Sequence, residues 1–134
     1  MNRELKAKVF EIGNRLAGRM GRRGAFIAAW AAVKNGGLEL SVRGTSFFNR
    51  QEALKRLATN YGAAQIRVFI GAETENPADK KAAAVFVGVN NGRGIYKLGY
   101  LPREYAPAAA SLKAKGLKVI GGADGRGALV RLAV

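Results

Sequence analysis

The chain lacks both cysteine and histidine. No disulfide and no thiolate metal site can form, and the two commonest zinc ligands are missing. The most frequent general acid–base side chain is absent too, so neither a Ser-His-Asp nor a Cys-His arrangement can be assembled. Acidic residues are scarce, nine in 134, and scattered. Glu73, Glu75 and Asp79 form the one close set, and a turn accounts for them. No carboxylate cluster suits two-metal chemistry and no nucleophile–base pair stands out. The expectation is a protein that is not an enzyme and uses neither cofactor nor metal. Long apolar runs are missing as well. The longest, Ala25 to Val33, falls far short of the roughly 20 residues that span a bilayer. The start, Met1-Asn2-Arg3-Glu4-Leu5, has no apolar core of a secretion signal. A cytoplasmic protein without a membrane partner is expected.

Positive charge dominates what is present. Lys plus Arg is 23, for a net charge of +14. Met1 to Asn35 carries +6 and Gly36 to Val134 carries +8, so the excess is no basic tail. Such a field draws in polyanions and speeds their capture. Nucleic acid is the first candidate partner. Apolar residues make up 49% of the chain, enough for a packed core, and 18 glycines punctuate the apolar runs as tight turns would.

Leu5, Val9, Ile12 and Leu16 recur at helical spacing and form one stripe. The glycine- and arginine-rich run at 18–24 breaks it. A second helix follows, with Phe26, Ile27, Trp30 and Val33 on a shared face read as core, closed by Asn35-Gly36-Gly37. From Leu38 the period becomes that of a strand. Asn49 caps a short helix, with Glu52 in the capping-box position and Leu54 and Leu57 on its apolar face. Strands are expected at 66–72, 83–89 and 95–101, with turns at 74–79 and 90–92. Pro102-Arg103-Glu104 opens a helix read to about Lys115 and ended by Gly116. Two more strands, 117–120 and 128–134, flank a glycine-rich turn. The fold class is α+β: a small, partly open β-barrel of about six short strands with interposed helices, preceded by an N-terminal helical hairpin. Residues 1–35 form the basic helical pair and 36–134 the barrel domain.

Three stretches carry a family resemblance: Val42-Arg43-Gly44-Thr45-Ser46-Phe47-Phe48-Asn49, then Glu75-Asn76-Pro77-Ala78-Asp79-Lys80-Lys81-Ala82-Ala83-Ala84-Val85, then Leu98-Gly99-Tyr100-Leu101-Pro102-Arg103-Glu104-Tyr105-Ala106. Over about 42–120 the chain resembles the HIRAN domain, a small β-barrel module of DNA-repair helicases and of free-standing bacterial and phage proteins. The resemblance implies a grip on single-stranded DNA, particularly a free 3′ end. Phe47 falls where the family uses a stacking aromatic, and Asp79 on the pocket aspartate that meets the terminal hydroxyl. Asn76 begins the same turn. Tyr100 and Arg103 stand where members turn polar or basic groups toward phosphates. Arg43 and Lys97 complete the candidate nucleic-acid-binding set. Ser46 replaces an arginine and Ala78 a second stacking tyrosine, which weakens the implied hold on terminal bases. A different class of function fits the charge as well: a protein-interaction module or phage-encoded inhibitor docking on an acidic surface of a nucleic-acid-processing machine.

Overall fold

The computed structural model describes residues 3–45, 50–62, 65–73, 76–89, 95–120 and 127–133. Helix α1 (Arg3–Met20) buries Val9, Ile12, Gly13 and Leu16, the stripe expected from spacing, while Leu5 in the first turn stays exposed. Gly21, at φ 79°, breaks the chain before α2 (Arg22–Lys34). Gly36, at φ 76°, ends α2 in the left-handed region that glycine enters without steric cost.

Helix α2 turns a different face inward than its sequence suggests. Ala25, Ala29, Ala32 and Val33 are buried, whereas Ile27 is 62% and Trp30 48% exposed. Close packing is the reason. Gly13 lies so near the Phe26 ring that a Cβ there would approach it to 2.9 Å. With the helix so close, alanines fill the inward face, and the larger residues are left outside. The reading of Trp30 as core is therefore corrected.

Among the described residues six strands follow the hairpin, with α3 (Arg50–Asn60) after the first. They are β1 (Gly37–Ser41), β2 (Ile66–Glu73), β3 (Ala82–Val89), β4 (Tyr96–Tyr100), β5 (Lys113–Ile120) and β6 (Gly127–Ala133). Two antiparallel sheets result, in the orders β1-β6-β5 and β2-β3-β4. The chain leaving β1 stitches them together. Val42 N–H donates to the Ala128 carbonyl, and Arg43 and Tyr100 exchange both backbone bonds, at 2.7 and 2.9 Å. On the other side β2 approaches β5 without a ladder among the described residues, so the two sheets do not close into a barrel. One core joins the hairpin to both sheets, with Ile12, Leu16 and Ala29 clustering with Leu54, Val85, Leu98 and Val130.

The helix expected from 102 to 115 is much shorter. A single 3-10 segment, Ala106–Ser111, is followed directly by β5, whose Lys113, Ala114 and Gly116 pair with Ala133, Leu132 and Arg131. The alanine-rich run has helical propensity, but the β6 ladder competes for its C-terminal half and wins. Among the described residues no helix is long and apolar enough to cross a membrane.

Candidate nucleic-acid interface

Six of the seven candidate residues lie among the described residues, and they meet at the β4 side of the second sheet; Phe47 lies outside them. The meeting depends on a bulge. Between Val85 and Phe86 the register with β4 shifts, so that Val85 faces Gly99 and Phe86 faces Lys97. Strict alternation would send the side chains of Lys97 and Tyr100 to opposite faces. The extra residue re-aims them to one side. Lys97 Nζ donates to the Tyr100 hydroxyl at 3.1 Å and to Glu73 Oε2 at 2.9 Å, and that hydroxyl donates to Glu73 Oε1 at 2.9 Å. Lys97 Nζ lies 5.2 Å from the Tyr100 ring centroid. The guanidinium of Arg50, a residue only 7% exposed, lies 5.9 Å from it and donates to the Gly44 carbonyl. Two cations thus cover the ring.

Glu73 leads to the next turn. Asn76 donates to it at 3.2 Å and accepts from the N–H groups of Ala78 and Asp79 through its own side-chain oxygen, an Asx turn. The turn presents Asp79 to α1. Arg19 clamps that carboxylate with both terminal nitrogens, at 2.8 and 2.6 Å, and donates also to the Arg103 carbonyl at 2.8 Å. Asp79 Oδ1 additionally accepts from Lys81 N–H. Both of its lone pairs are taken, and Oδ2 keeps one for a further donor.

The charges are settled accordingly. The Arg19 guanidinium, with help from the Lys81 N–H, holds the Asp79 carboxyl down at about 2. Hydrogen bonds from Lys97, then from Tyr100 and Asn76, lower Glu73, and the reciprocal bond raises Lys97. A carboxylate with a depressed folded pKa stabilises the protein above its unfolded value, here 3.8, and ceases to as pH falls through about 2. Wild type should therefore out-melt Asp79→Asn above pH 4. The gap should close by about pH 2 in paired thermal melts. A gap independent of pH would remove the ion pair from the account.

Each of the two carboxylates, Asp79 and Glu73, is matched by a cation. What it leaves is positive surface. Arg43, Lys80, Lys81 and Arg103 are exposed and make no ion pair among the described residues. Among those residues no cluster of carboxylates could hold a metal ion. Two shallow clefts, of about 570 and 670 Å³, flank the first sheet and share Glu39, Lys115 and Arg131; none of the six described candidates lines them.

Sequence reasoning missed Arg19, Glu73 and Arg50 as members of the cluster. Arg19 and Asp79 are 60 positions apart, and nothing local to either marks the pairing. Glu73 had a signal, since it stands three residues before Asn76 at the end of a strand. No family model, no curated protein and no solved structure matches the chain.

Proposed function

We propose that this protein is a non-catalytic nucleic-acid-binding module whose preferred ligand is single-stranded DNA, held along the β4 side. The observation that carries the reading is the convergence just described. Residues drawn from three separate motifs are linked across one end of the second sheet, from the Arg43–Tyr100 bridge through Lys97, Tyr100 and Glu73 to the Asn76 turn, with four exposed cations beside them. Exposed cations provide a phosphate term, and an unpaired strand can follow an irregular surface that a stiff duplex cannot. The HIRAN resemblance, resting on the three motifs, points the same way, and a cytoplasmic setting is part of the proposal.

Preference for a free 3′ end should be weak. A bare carboxylate would accept from a terminal hydroxyl and repel a continuing phosphate. Here Arg19 neutralises Asp79, so most of that repulsion is cancelled. Fluorescence anisotropy with dye-labelled 15-nucleotide strands is the test. Single strands should bind more tightly than the matching duplex, and a 3′-phosphate should change wild-type affinity only slightly. Arg19→Ala should widen the difference between free and phosphorylated ends. Absence of binding at low salt would defeat the proposal and favour the second reading, a module docking on an acidic protein surface.

A further inference from the structure

Helices α1 and α2 leave aromatic and aliphatic side chains outside although their inward faces are complete. Phe10 is 59%, Ile27 62% and Trp30 48% exposed. They form one patch. Phe26 and Trp30 are a turn apart on α2 and share a face, and the Phe10 ring stands edge-on to Phe26 at 5.5 Å and 70°. Phe26 is itself seated over Gly13, so it holds Phe10 against a fixed support. Cations surround the patch at helical neighbour spacing: Lys6 is four residues from Phe10, Arg23 three from Phe26, and Lys34 four from Trp30. All three are exposed and unpaired among the described residues, and the hairpin segment carries +6.

We propose that this outer face of the hairpin is a base-stacking platform for an unpaired strand, with Trp30 and Phe10 as the rings and the three cations as phosphate contacts. The inference rests on the nucleic-acid reading above and gives it a second contact surface. A second copy of the chain is a poor occupant, because each copy would bring +14 to the interface. An acidic partner matches the charge, but flat rings interleaved with cations match the alternation of bases and phosphates in a single strand. Such stacking tolerates any base, since every base has a π face.

Trp30 is the sole tryptophan, so its fluorescence reports this patch alone. The full-length protein is titrated with oligo(dT), with an abasic strand of equal length, and with vesicles of anionic lipid, while anisotropy of a dye-labelled strand measures binding independently. Oligo(dT) should quench Trp30, and the abasic strand should bind with little quenching. Trp30→Ala should weaken oligo(dT) binding about tenfold, leave abasic binding unchanged, and be largely rescued by Trp30→Phe. Trp30 is half outside, so these variants should keep the wild-type melt. Binding with neither quenching nor any effect of Trp30→Ala overturns the platform and leaves the β4-side reading standing. No binding of either strand overturns both. A response to vesicles but not to oligo(dT) overturns the platform in favour of a membrane surface.

Discussion

Between about 50 and 200 mM salt, affinity for a short single strand should fall about fiftyfold. Phosphate contacts release condensed counterions, and for single strands log K falls with log salt at about 0.7 per phosphate neutralised. If Arg43, Lys80, Lys81 and Arg103 each meet one phosphate, the slope is about −2.8, and a fourfold rise in salt weakens binding by about 50. Engagement of the hairpin cations would steepen it. Replacing Lys80 and Lys81 with Ala should flatten the slope by about 1.4 without moving the melt, because both side chains are exposed and outside any ion pair among the described residues. A slope shallower than about 1 would mean that charge is not what holds the strand.

Gly99→Ala should largely unfold the protein. Gly99 precedes Tyr100 on β4 and faces the segment that leaves β1. A Cβ at this position would run into the Arg43 carbonyl, and the Val42 side chain would lie 2.9 Å away. That carbonyl accepts from Tyr100 N–H, in the bridge that joins the two sheets. The constraint is space: the obstacle is backbone and cannot rotate aside. Losing the bridge while disturbing the buried neighbours Val42 and Leu98 should cost about 3 kcal/mol or more, a large share of a small domain's stability. Gly116→Ala is the matched control. It also lies in a strand beside a register shift, but a Cβ there meets nothing within 4 Å. Its denaturation midpoint should stay within about 0.5 kcal/mol of wild type. Equal midpoints for the two variants would show that the sheets do not depend on this bridge.

Local chemistry was legible in the sequence and long-range competition was not. The α1 stripe, the apolar run of β3 and the Asn76 turn each state their structure within a few residues, and the structure has all three. The helix read to Lys115 was overruled by a ladder with β6, a partner more than a dozen residues away. The face of α2 was misread because size usually predicts burial, whereas here close helix packing put alanine inside and tryptophan outside. The candidate site shows the same division. Motifs marked Asn76, Asp79, Tyr100 and Arg103 as candidates. The bulge that turns Lys97 toward Tyr100, and the reach of Arg19 across 60 residues to Asp79, arise only when the sheets and hairpin pack.

The central claim is that an unpaired strand lies along the β4 side. An amide correlation map of uniformly 15N-labelled protein, recorded at low salt with and without a short single-stranded oligonucleotide, tests it most directly. The account predicts shifts concentrated at Arg43, Lys80, Lys81 and the stretch from Lys97 to Arg103. A spectrum unchanged at saturating oligonucleotide, or shifts that leave this edge untouched, would contradict it.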